Sequence, residues 1–142
     1  MNADLFEYWL MDMNDAIDRF LHSFPTGDRE QFDYSIASLD YLEAWLLRRY
    51  ENFDALKPKD QAAIIDGAAR YVGQVFRRHL GGKWFMNDQD KQDMFCGRPQ
   101  LVEMKGQFAQ ISPLSMVTAA VDRRTGVYIG RILNSLKTKA GE

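Results

Sequence analysis

The sequence predicts an α+β fold: three N-terminal helices, a small antiparallel sheet of three or four strands, and two C-terminal helices. Two observations predict it. Apolar residues recur every third or fourth position up to Leu80 and again after Pro113, whereas between these points they fall in short alternating runs. The pair Gly81-Gly82 stands at the first change of period, inside "YVGQVFRRHLGGKWFM". With 142 residues, the chain is expected to form one domain over 1–142, its helices segregated from its strands.

The first helix is expected from Ala3 to His22. Advancing about 100° per residue puts Leu5, Phe6, Trp9, Leu10, Met13, Ala16, Ile17, Phe20 and Leu21 in one arc. Asp4, Glu7, Asp15, Asp18 and His22 fall opposite, an acidic stripe facing water. Ser23-Phe24-Pro25-Thr26-Gly27-Asp28 supplies turn chemistry to end it. The second helix runs from Ser35 to Tyr50, with Ser35 or Asp33 as cap and Arg48 and Arg49 suiting the dipole of its last turn.

The third helix starts near Pro58, a residue suited to the first helical turn, and ends at Leu80. Ile64, Ile65, Ala68, Ala69, Val72, Val75, Phe76 and Leu80 share its core side; Asp66, Arg70, Gln74 and Arg77 share the other. Gly67 and Gly73 each cost about 1 kcal/mol against alanine in a helix interior, so Gly73 implies close approach of another element.

Lys83–Asn87, Met94–Cys96, Leu101–Met104 and Phe108–Ile111 read as strands. Asn87-Asp88-Gln89-Asp90-Lys91 reads as the turn between the first two. After Ser112-Pro113, Leu114, Val117, Ala120 and Val121 give a short helix. Val127, Ile129, Ile132, Leu133 and Leu136 give the last one.

Composition narrows the function. No apolar run approaches the ~18 residues of a membrane span. The acidic N-terminus has no basic segment of a signal peptide, and the single cysteine, Cys96, fits a reducing cytoplasm. Residues 1–60 carry 13 acids against 6 bases, a net of −7; residues 61–142 carry 7 against 12, a net of +5. This balance does not suit a nucleic-acid backbone, and the acidic half suits a basic protein partner.

Each candidate for chemistry has a plainer reading. Gly81-Gly82-Lys83-Trp84 is no phosphate loop, because its lysine is followed by Trp and the helix precedes the glycines; a glycine C-cap leading into a strand accounts for it. His79, near the end of the third helix, could act as a base toward Cys96 in a small hydrolase or transferase. Packing or capping explains His79 as well, and little near Cys96 except Arg98 would lower a thiol pKa. Asp88, Asp90 and Asp93 fail the EF-hand pattern, with Gln92, Asp93 and Gln100 at its fifth, sixth and twelfth positions. No metal site or cofactor loop is therefore expected. Arg123, Arg124, Arg131, Lys137 and Lys139 form a basic counterpart that could serve a nucleic-acid or regulatory module, or pair with the acidic half of another copy.

Gly67…Gly73…Leu80-Gly81-x-x-Trp84, followed by short strands and Ile111-Ser112-Pro113, resembles small bacterial α+β domains met beside secreted toxins, many of which are immunity proteins. The likeness covers about residues 60–136. It implies a non-catalytic binder that neutralises a cognate toxin. The acidic residues Asp4, Glu7, Asp15 and Asp18, with Asp88, Asp90 and Asp93 of the turn, are the expected contacts for a basic cleft.

Overall fold

The computed structural model describes residues 1–141. Mixed helix and sheet is what it contains, with helices dominant. Helices α1 (Ala3–Met11), α2 (Met13–His22), α3 (Thr26–Arg29), α4 (Ile36–Arg49) and α5 (Ala62–Leu80) come first. Strands β1 (Lys83–Phe85) and β2 (Gln100–Val102) follow, then α6 (Pro113–Arg123) and α7 (Tyr128–Lys139).

Helix α5 is the axis. Eleven of its residues are buried, from Ile65 to Leu80. It packs against α6 and α2, while α4 packs against α7 and α6. Phe20, Phe24, Phe32, Trp45 and Tyr71 join these layers through edge-on and tilted ring contacts, with centroids 4.7–6.5 Å apart. Gly67 admits Phe20: a Cβ there would lie 2.6 Å from that of Phe20. Gly73 does the same for the Trp84 indole and Pro113, so the expected close approach exists.

Caps match the sequence reading. The Ser35 hydroxyl accepts from Ser38 N (3.1 Å), and Asp33 Oδ1 accepts from Ser35 N (3.0 Å), so both cap candidates act in one turn. Ser112 caps α6, with Pro113 in its first turn. Gly81 (φ 72°) ends α5 in the left-handed region and Lys83 opens β1, so the glycine pair stops the helix as expected.

Several expectations need correction. The first helix divides at Asp12, whose backbone (φ −85°, ψ 2°) leaves helical geometry. Its predicted apolar arc is also wider than the surface available to bury it, and Leu5 is 54% exposed. A one-turn helix, α3, occupies the segment read as a turn.

The sheet has two strands, not three or four. They pair antiparallel, Trp84 opposite Leu101, and Ile111 adds one bridge to Leu101. Met94–Cys96 is a turn instead, because the acidic loop folds on its own side chains: Asn87 Oδ1 accepts from Gln89 N, Asp90 Oδ1 from Gln92 N, and Asp93 Oδ1 from Phe95 N. Finally, Arg70 is buried and not on a solvated face, because α1 lies across it.

Two buried polar groups bind distant segments. Glu43 of α4 lies beneath the start of α7 and accepts hydrogen bonds from Tyr128 N (3.0 Å) and Ile129 N (2.9 Å). The Tyr71 hydroxyl donates to Ser38 Oγ (2.8 Å) and accepts from Tyr34 N (3.0 Å). Burial pushes the Tyr71 phenol up to about 12.

The unfolded phenol titrates near 10, so the folded state holds this proton more tightly. The associated stability is complete below about pH 10 and is lost as pH rises toward about 12. Thermal melts across that range should show a wild-type decline steeper than that of Tyr71→Phe. Parallel declines would remove Tyr71 as the cause.

Candidate functional site

The outer face of α1 is the most prominent candidate. Asn2 Oδ1 caps the helix by accepting from Leu5 N (2.9 Å). Phe6 is buried and Trp9 and Leu10 are half-buried, which fixes the orientation of the helix. The indole N–H of Trp9 donates to Asp66 Oδ1 (2.8 Å) on α5. Arg70 completes a clamp: its Nε donates to Asp66 Oδ2 (2.7 Å), its Nη1 donates to the Trp9 carbonyl (2.7 Å), and its guanidinium lies 4.2 Å from the Trp9 ring centre. Trp84 meets Trp9 edge-on at 4.9 Å.

With the inner face so held, Leu5, Tyr8 and Met11 point outward, 54%, 68% and 79% exposed. They follow the i, i+3, i+6 spacing of one helix face and alternate with Asp4 and Glu7, which are exposed and in no ion pair among the described residues. Asp15 and Asp18 are exposed on α2. Asp12, by contrast, pairs with Arg19 (2.6 Å), whose hydrogen bond holds its carboxyl below the usual range. The helical period already leaves Tyr8 and Met11 outside the apolar arc, on the side of Asp4 and Glu7; what it does not show is that they stand there as anchors and not as incidental surface residues.

The acidic loop divides by role. Asp88 and Asp90 keep their carboxylates near the surface, accepting from Gln89 Nε2 (2.9 Å) and Gln92 N (2.9 Å). Asp93 is half-buried and shapes the loop. Its carboxyl is held below the usual range first by the N–H of Phe95, then by side-chain donors including Gln110. Among the described residues, no group of three or more His, Cys, Asp or Glu is placed to hold a metal ion.

His79 and Cys96 are not brought together by a hydrogen bond. His79 Nε2 meets the Tyr34 carbonyl (3.0 Å), which requires the proton on that nitrogen. Nδ1 is then the acceptor facing Lys137 Nζ (3.3 Å). Both ring atoms thereby hold the left-handed turn at Tyr34 (φ 64°) and α7 against the end of α5.

The basic residues are also divided. Arg124 donates to the Tyr50 and Leu47 carbonyls (both 2.9 Å), closing the end of α4. Lys139 lies 4.2 Å from the Phe108 ring centre. Arg123 and Arg131 line a cleft of about 480 Å³ with Phe108, Tyr128, Ile132 and Leu136. A second cleft, about 490 Å³, lies beside the clamp, with Trp9, Trp84, Ile65 and Leu114 on its walls and Lys57 and Arg98 beside them.

No described helix is long and apolar enough to cross a membrane. Comparison with protein-family models, with curated proteins and with solved structures finds no match to this chain.

Proposed function

We propose that this chain is a non-catalytic immunity-type protein of the bacterial cytoplasm that binds and neutralises a cognate toxin. The observation that supports this reading is the outer face of α1, where Leu5, Tyr8 and Met11 stand in water beside Asp4 and Glu7, which form no ion pair among the described residues. Apolar and aromatic anchors among carboxylates suit a partner with a basic, partly apolar cleft. Asp15 and Asp18 extend the same charge along α2, and Asp88 and Asp90 add a second acidic surface. These charges steer the encounter, while Tyr8 and Met11 supply the buried contact.

The reading expects the adjacent gene to encode a large, modular secreted protein ending in a small variable domain, and the test is co-expression with that domain. Growth arrest by that domain should be relieved by the wild-type chain. Tyr8→Ala should weaken binding by about tenfold or more, the scale of a hot-spot residue. Persistent arrest on co-expression would refute the proposal. So would undiminished binding after charge reversal at Asp4, Glu7, Asp15, Asp18, Asp88, Asp90 and Asp93 together.

A further inference from the structure

The domain offers two exposed surfaces of opposite charge and similar apolar character. One is the outer face of α1, with Tyr8 and Met11 beside Asp4 and Glu7. The other is the cleft along α7, about 480 Å³, where Phe108, Tyr128, Ile132 and Leu136 form apolar walls. Arg123 and Arg131 line that cleft, and neither has a carboxylate partner among the described residues. Phe108, beside it, is 71% exposed. A large ring left in water at an apolar cleft favours burial by an incoming segment.

A helix presenting apolar side chains at i, i+3 and i+6 is the shape that fills such a groove. Carboxylates beside those side chains match guanidinium groups, which can take them in bidentate fashion. This chain carries both halves of that complement, and its charge is divided the same way, −7 over residues 1–60 and +5 over 61–142.

We infer that a second copy of the chain occupies the cleft: the outer face of α1 of one copy seats along α7 of the next. Tyr8 and Met11 enter beside Phe108 and Tyr128, and Asp4 and Glu7 meet Arg123 and Arg131. The two surfaces differ, so the contact is head-to-tail and leaves one of each free on a pair, giving a ring or a growing chain. Self-association covers the face assigned above to the toxin, so the two occupants exclude each other. It does not depend on that assignment, because the arginines lie outside the α1 surface.

Sedimentation velocity of the full chain at low salt tests this. The weight-average mass should at least double between micromolar and millimolar protein, and added salt should reverse the rise. Arg123→Glu/Arg131→Glu and Asp4→Arg/Glu7→Arg should each remain monomeric alone. Mixed, they should associate again, because every helix then has a cleft of opposite sign. A wild type that stays monomeric at millimolar concentration overturns the inference. Association that survives either double substitution, or a mixture that stays monomeric, does so equally. The arginine variant keeps α1 intact, so its binding to a toxin reads out the other proposal separately.

Discussion

Glu43→Ala is expected to cost about 3 kcal/mol and to lower the melting temperature by roughly 10 °C. Glu43 is 0% exposed, and its two oxygens accept from the first N–H groups of α7. No side chain within α7's own N-terminal turn caps it, so the carboxylate from α4 takes that place. Alanine would leave two donors without their acceptor and a void under the helix. Glu43→Gln, which keeps one carbonyl oxygen, should fall between alanine and wild type. Urea unfolding followed by circular dichroism measures all three. An alanine variant within about 0.5 kcal/mol of wild type would show that α7 needs no acceptor from α4.

Gly73→Ala should destabilise by about 2–3 kcal/mol, although alanine is the better helix former by about 1 kcal/mol. The Trp84 indole occupies the place where the Cβ would stand, and the Pro113 ring lies 3.2 Å from it. Trp84 cannot turn away freely. Its Nε1 donates to Gln74 Oε1 (3.2 Å), and Trp9 meets its ring from the side. Trp84→Ala removes the obstacle at its own cost, so adding Gly73→Ala to it should cost nothing further. Additive losses in that double variant would place the Gly73 penalty elsewhere. Gly27, with nothing within 4 Å of its Cβ position, serves as the control and should accept alanine without loss.

The sequence made the helical framework legible because the framework rests on local signals. Ser35, Ser112 and Pro113 mark starts, Gly81 marks a stop, and the core face of α5 follows its period. Gly73 was legible as a close contact because glycine inside a helix is costly without one. Pairings between distant segments were not legible. The helical period puts Arg70 with Asp66 on the side of α5 away from the core, and only the arrival of Trp9, 61 residues from Arg70, buries the arginine. Nothing local singles out Glu43, whose bonds reach Tyr128 and Ile129, more than 80 residues away in sequence. The strands were overcounted because alternation also arises in a loop whose polar residues cap one another, as Asn87, Asp90 and Asp93 do. Among the proposed contacts, charge was legible from composition and the outward side of Tyr8 and Met11 from the period, whereas the exposure of Leu5, inside the predicted apolar arc, depended on how α1 lies.

The attachment of α1 has a consequence for its mobility. Of its nine residues only Phe6 is buried, and the hydrogen bonds of Trp9 tie the helix to α5. An element so lightly anchored opens at a free-energy cost well below that of the whole domain. Its backbone amides therefore exchange with solvent sooner than those of α5, without global unfolding. Anything that grips the outer face of α1 must first keep the helix on the domain, and part of its binding energy is spent suppressing that opening. Tightening the clamp would strengthen binding without adding a contact to the partner.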